Sequence, residues 1–405
     1  MKRFVLVLSM VFLLLSFAAA EPQKVILDTD MVDCFDDGIA MLVLDNSENI
    51  DLLGVTIVAG NNSMPNCTAS AVYQLMVSDS DTPVYQGSRV PFRYFRLDPE
   101  VMAAEQLIAP SYNNGGYLNR WARDWDVNQG KLEMDPMSDW KDVYEAIYGS
   151  EPTYQYVYGP ENPDASGNKD AVDFMIDQVN KYPGEIIIAA IGPCTNVARA
   201  ILQDPTFPSK VKAIVYMGGA FFVPGNSSAA AELNWWLDPE AAKVCVRTQW
   251  GDPESETYAA YGNQVISGLE ANVNTGAMPQ DLFEKVLEET WPGIRELFDK
   301  KNGGIAPSNI WDVFAAAYIV DPSIVLSWDN DPRPESGEPD PITGVYIDVN
   351  AEMGPDYGRA IAYSADRGHA KNGPNGSRKA AIQSFIDEDK FWNEIVYPAL
   401  TNTDK

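Results

Sequence analysis

Asp28, Thr29, Asp30, Asp36 and Asp37 follow directly on the short apolar run Val25-Ile26-Leu27. Carboxylates gathered at one strand end must be neutralised by water or a cation, and hard oxygen donors of this kind suit Ca²⁺ or Mg²⁺ rather than zinc. A closed zinc site is excluded on composition, because the chain has one histidine and its four cysteines show no Cys-x-x-Cys spacing. Three further apolar runs end in polar clusters that folding alone does not require. Ala59-Gly60-Asn61 ends one and Gly192-Pro193-Cys194-Thr195-Asn196 another, while Met217-Gly218-Gly219 leads on to Asn226, Glu232 and Asn234. Asp312 adds a carboxylate at the opening of an expected helix, 313–319, with Trp311 beside it.

The elements that must position these residues alternate. Residues 25–27, 52–58, 185–190 and 211–217 are short apolar runs closed by Gly, Asn or Asp, the pattern of buried parallel strands. Helices are expected over 39–44, 69–77 and 172–180, with a further one capped by Thr195 and Asn196 and running through Ala198, Ala200 and Ile201. The pattern predicts a single α/β domain: a mostly parallel, Rossmann-like central sheet, helices on both faces, and the site at the carboxyl ends of the strands. Residues 91–168, rich in Arg, Trp, Tyr, Asn and Gly without a clean period, read as a surface excursion. The proline-rich stretch 329–341 reads as a loop before a late strand at 344–349.

With 405 residues, 45% hydrophobic and 11% aromatic, the chain can bury a large core. Its net charge of −29 repels phosphate backbones and anionic membrane surfaces, which leaves small neutral molecules as the expected partners. A homo-oligomer stays open. Residues 1–20 read as a secretory signal, with Lys2 and Arg3, an apolar stretch from Phe4 to Phe17 and a small-residue site at Ala18-Ala19-Ala20. The mature domain would then be 21–405, secreted or periplasmic. Pairing of Cys34, Cys67, Cys194 and Cys245 is not given by the sequence, and His369 reads as a surface-loop residue.

From Lys24 to about Pro322 these motifs, in this order, resemble the inosine–uridine-type nucleoside hydrolases. The aspartate motif 25–41, the Gly60-Asn61 turn, the Gly-Pro-x-Thr-Asn turn at 192–196 and the segment Asn226, Glu232, Asn234, Asp238-Pro239-Glu240-Ala241-Ala242 carry the resemblance. It implies Ca²⁺-dependent cleavage of ribonucleosides to base and ribose, a reaction of purine salvage. It further implies a metal site of Asp30, Asp37, the Thr195 carbonyl and Asp312, with Asp30 as general base. Asp36, Asn61, Asn226, Glu232 and Asn234 would grip the sugar. Trp311 stands where many members carry histidine, as in the purine-preferring branch, and would stack on the base. Met31-Val32-Asp33-Cys34-Phe35 replaces the glycine-containing link common in the family. Two alternatives remain at this stage. One is a secreted Ca²⁺-dependent nucleoside or sugar binder without catalysis; the other is a haloacid-dehalogenase-type phosphatase with Asp28 as nucleophile.

Overall fold

A computed structural model describes residues 21–93, 99–108, 137–308, 310–363, 373–374 and 376–403. The expected signal segment 1–20 and His369 lie outside the described residues.

Strand β1 (Gln23–Thr29) is apolar through its middle because both its faces are covered. Val25 and Leu27 point into one hydrophobic cluster and Ile26 into the other, so helices pack on both sides of the sheet. Parallel neighbours flank β1: β2 (Ile50–Ile57) on one edge and β5 (Ile187–Ala190) on the other. Outward from β2 come β3 (Val84–Gln86) and β4 (Val157–Tyr158), and outward from β5 come β6 (Ala213–Met217) and β7 (Gln264–Ser267). The parallel set closes with β11 (Arg378–Ile386) beside β7. Antiparallel strands β9 (Val345–Val349) and β10 (Ala360–Tyr363) extend that edge, and β8 (Val325–Trp328) pairs with β11. The chain therefore grows away from β1 in one direction, returns to β5, and grows in the other. Loops leaving β1 and β5 diverge at that reversal and open a crevice beyond the strand ends, where ligands of open α/β sheets bind.

Two helices under the crevice are almost wholly buried. Asp36–Asn46 packs on Trp311–Val320, whose Ala315-Ala316-Ala317 run allows close approach, and both are apolar around their circumference as core helices must be. Each carries acidic residues in its first turn, Asp36 and Asp37 in one and Asp312 in the other, where the helix dipole favours negative charge. Among the described residues no helix is long and apolar enough to cross a membrane.

Two expectations need correction. The 91–168 stretch is more than a surface excursion: it supplies edge strand β4, and its helix Trp140–Tyr148 packs on the helix Met64–Val77 through buried Trp140, Val143 and Tyr144. Residues 94–98 and 109–136 lie outside the described residues. The helix Thr195–Gln203 is not capped by Thr195 or Asn196, because Cys194 holds the cap position without a side-chain bond. Both polar side chains are drawn away by tertiary partners, as described next.

Candidate active site

Asp30 sits immediately beyond β1, wedged between the turns that follow its two neighbours. A Cβ on Gly60 would lie 2.1 Å from Asp30 Oδ2, and one on Gly192 would lie 2.9 Å from Oδ1, so only glycine lets the carboxylate in at either place. The Asn61 backbone N–H donates to Oδ2 at 2.6 Å, and the Cys67 thiol donates to the Asp30 carbonyl at 3.2 Å. Oδ1 is buried with no hydrogen-bond partner. Next to it Asp37 accepts from the Thr29 hydroxyl on one oxygen and from Asn61 Nδ2, at 3.0 Å, on the other. Asn61 thus ties two aspartates together.

Asp28 has a different task. Fully buried, its Oδ1 accepts from Thr56 Oγ1 at 2.7 Å and from Asn196 Nδ2 at 2.8 Å. Asn196 also donates to the Ile57 carbonyl and accepts from the Ser88 N–H, so it clasps the ends of β1 and β2. An aspartate sealed in that way cannot reach a phosphate ester, which removes the phosphatase alternative.

Five residues link Asp30 to Asp36, and their path is fixed by side chains far away in sequence. Cys34 takes a left-handed backbone (φ 45°), and Gln74 holds it there by accepting from the Cys34 N–H at 2.7 Å while donating to the Gly38 carbonyl at 2.7 Å. Tyr148 OH donates to Asp33 Oδ2 at 3.2 Å. Lys301 Nζ donates to the Asp33 carbonyl at 3.0 Å and lies 4.9 Å from the centre of the Phe35 ring. Phe35 in turn meets half-buried Trp311 edge to face, with ring centres 6.3 Å apart.

Asp312 enters from the first turn of Trp311–Val320. One carboxylate oxygen from each of Asp36, Asp37 and Asp312 can be chosen so that all lie within 4.8 Å of one another. The resemblance places Asp36 on the sugar; here it stands in the acidic trio. Burial is the main cause that raises the pKa of Asp30, Asp36 and Asp312 well above the usual carboxylate range, and neighbouring aspartates add to it. Burial also raises Asp37, to about 6, against the Thr29 hydrogen bond and the Lys301 charge. Lys301 itself is pushed down by burial.

These residues fit a hard divalent cation. Their donors are carboxylate oxygens, and Asp30 Oδ1 and Asp312 Oδ1 are both buried and unpartnered, a costly state unless a positive charge faces them.

Across the crevice, Glu232 caps the helix Leu233–Leu237, accepting from Asn234 N at 2.7 Å and Trp235 N at 3.1 Å, and also from Gly219 N at 3.0 Å. Burial raises its pKa to about 7 against those three bonds. Asn234 Nδ2 donates to the Ile191 carbonyl at 2.7 Å and the Met217 carbonyl at 3.2 Å, joining the ends of β5 and β6. Asn226 Oδ1 accepts from Leu233 N at 2.9 Å. Thr195 Oγ1 donates to Asp238, which also caps the helix Pro239–Val246. After burial and the three neighbouring aspartates, charge on Glu232 also raises the pKa of Asp312. Lys301 and Glu270, which holds the turn after β6, were not flagged by the sequence, since neither belongs to a spaced motif.

The family described as inosine-uridine preferring nucleoside hydrolase matches residues 25–393. Uridine nucleosidase 1 of Arabidopsis thaliana is 33% identical over 223 residues, 55% of this chain and 52% of the relative, so the chain aligns with about half the length of that plant protein. The pyrimidine-specific ribonucleoside hydrolase RihB of Escherichia coli is 26% identical over 381 residues, covering 93% of this chain and 96% of the relative. A solved purine-preferring ribonucleoside hydrolase from Gardnerella vaginalis shares the fold, with a TM-score of 0.60 at 21% identity over 94% of this chain and 99% of that one.

Proposed function

Because the chain belongs to the inosine-uridine preferring nucleoside hydrolase family, we propose that it hydrolyses the N-glycosidic bond of ribonucleosides, giving free base and ribose, with purine nucleosides favoured. The observation that carries the reading is the Asp30 carboxylate, oriented by the Asn61 N–H through one oxygen and bare on the other, at the mouth of a buried acidic cluster. Asp30, Asp37 and Asp312 would hold a divalent cation, Ca²⁺ in this reading, with the Thr195 carbonyl and with Asp36 close by. Bound there, the cation supplies a site for a sugar diol and lowers the pKa of a water molecule.

The chain's own residues do the rest. Asp30 accepts the proton of the attacking water, and the glycines at 60 and 192 leave its carboxylate the space it occupies. Asn61, Asn226, Glu232 and Asn234 orient the sugar, so that the electron-poor ring formed as the base departs is met by fixed oxygens. Retention of Asp30 in this geometry favours an enzyme over a binder that has lost catalysis. Trp311 and Phe35 offer an aromatic wall at the base end. With Trp311 rather than histidine preceding Asp312, the leaving base would carry its own protonation site; a purine does so on its imidazole ring, while stacking favours the protonated form. The named preferences of the relatives divide between pyrimidine and purine, so the purine assignment rests on Trp311. We also read residues 1–20 as a cleaved signal that delivers the enzyme to the periplasm or the medium.

The test is release of reducing sugar from a nucleoside panel by the purified protein, before and after chelation. Inosine and guanosine should be cleaved faster than uridine, and 2′-deoxyinosine poorly, since losing a hydroxyl that buried polar groups are built to bind costs a factor of about 10⁴. Activity indifferent to chelation and to the 2′-hydroxyl would overturn the reading; uridine as fast as inosine would remove the base preference alone.

A further inference from the structure

Glu270 is a buried carboxylate that neither the metal nor the sugar reading employs. It lies just past β7, in the short helix Leu269–Val273, and is 1% exposed. Its Oε1 accepts from two successive backbone N–H groups, Phe221 at 2.6 Å and Phe222 at 2.8 Å. Its Oε2 has no partner. A Cβ on the preceding Gly268 would come within 2.5 Å of that oxygen and 3.1 Å of the Gly219 carbonyl, so the carboxylate is pressed between the ends of β6 and β7. The Leu269 N–H donates to the same Gly219 carbonyl at 3.1 Å.

Burying a carboxylate with one oxygen unpaired works against stability. What it secures is the segment 219–232. Glu232 grips the start of that segment through the Gly219 N–H, Asn226 closes its far side on Leu233 N, and Glu270 fixes the Phe221-Phe222 turn between them. Two of the sugar-facing residues, Asn226 and Glu232, ride on this segment. We propose that Glu270 is a positioning residue for sugar binding: by holding the Phe221-Phe222 turn it sets the segment bearing Asn226 and Glu232, and it takes no part in bond cleavage. The proposal rests on the nucleoside hydrolase reading.

Because one acceptor oxygen carries both bonds, Glu270→Gln should keep them, whereas Glu270→Ala abolishes them and Glu270→Asp withdraws the acceptor by one carbon. In the full-length protein with divalent cation present, Glu270→Ala should raise KM for inosine and the inhibition constant of free ribose about tenfold, a change of about 1.4 kcal/mol. Its kcat should stay within about threefold, since only ground-state and transition-state binding in common is removed. Amide hydrogen exchange at Phe221 and Phe222 should quicken alongside. Glu270→Gln should restore all three readouts, and Glu270→Asp should fall between and serve if the alanine variant does not fold. Unchanged KM and ribose inhibition in Glu270→Ala or Glu270→Asp, equal loss in kcat, or a glutamine variant as impaired as alanine would overturn the proposal. If wild type neither cleaves nucleosides nor binds ribose, the nucleoside reading fails, while exchange at Phe221 and Phe222 still decides whether Glu270 holds the turn.

Discussion

An aspartate with one oxygen fixed and the other bare has its proton-accepting face chosen for it. Asp30→Asn keeps the shape but removes the proposed base, so at saturating divalent cation kcat should fall on the order of 10²–10⁴-fold, the usual worth of a positioned general base, while inhibition by ribose changes only a few-fold. Steady-state kinetics checks this, and near-normal turnover would exclude Asp30 as the base. Trp311→Ala should lower kcat/KM for inosine by the equivalent of about 1–3 kcal/mol of lost stacking and leave uridine less affected, measured as a ratio on one preparation. Glu232 carries a pH signature. Burial holds its pKa at about 7 in the folded chain, against an ordinary value of 4.5. Between those values the folded form keeps the proton that the unfolded form has lost, so rising pH favours unfolding. Glu232→Gln lacks this effect. In chelator its stability relative to wild type should climb from about pH 4.5 to about pH 7, by up to roughly 1.4 kcal/mol per unit, and level off above. Urea titrations at several pH values read this slope whatever the substitution's constant offset.

At the level of elements, the crevice depends on turns that leave no space for a side chain. Gly60→Ala would drive a methyl into Asp30 Oδ2, so activity should fall by at least about tenfold while the melting temperature moves by only a few degrees; parallel calorimetry and kinetics separate the two. Strands β1, β2, β5 and β6 were readable in the sequence because a parallel strand covered on both faces leaves a continuous apolar run ending in turn residues. Strands β3 and β4 were not, at three and two residues, since so short a piece has no period. The order of the strands was out of reach as well, because β1 meets β5 only after the chain has made β2, β3 and β4. Oxygens of Asp36, Asp37 and Asp312 come within 4.8 Å of one another although Asp312 is far away in sequence, and the Lys301 contact with the Asp33 carbonyl depends on how the helix Pro292–Asn302 docks. Thr195 shows the converse failure. It is a good capping residue by type, but Asp238 offers its hydroxyl a buried partner and the cap passes to Cys194.

For the molecule as a whole, the acidic cluster makes stability conditional. Asp30, Asp36, Asp37 and Asp312 are buried together, and the charge of Lys301 acts on Asp36 and Asp37. Chelation should therefore lower the melting temperature as well as activity, and titrating a divalent cation back should restore both together, stabilisation reaching about 2.7 kcal/mol at a hundredfold excess over Kd. A melting temperature indifferent to chelator would mean the cluster is neutralised by protons alone. The reversal of sheet growth at β1 also has a bearing on synthesis. A ribosome releases Asp30, Asp36 and Asp37 early and Asp312 much later, with every parallel strand but β1 and β11 made between. A nascent or truncated chain that stops short of the helix Trp311–Val320 thus carries three of the four clustered aspartates without Asp312, and a cation bound by all four would report that translation had passed that helix, with β11 still to be added.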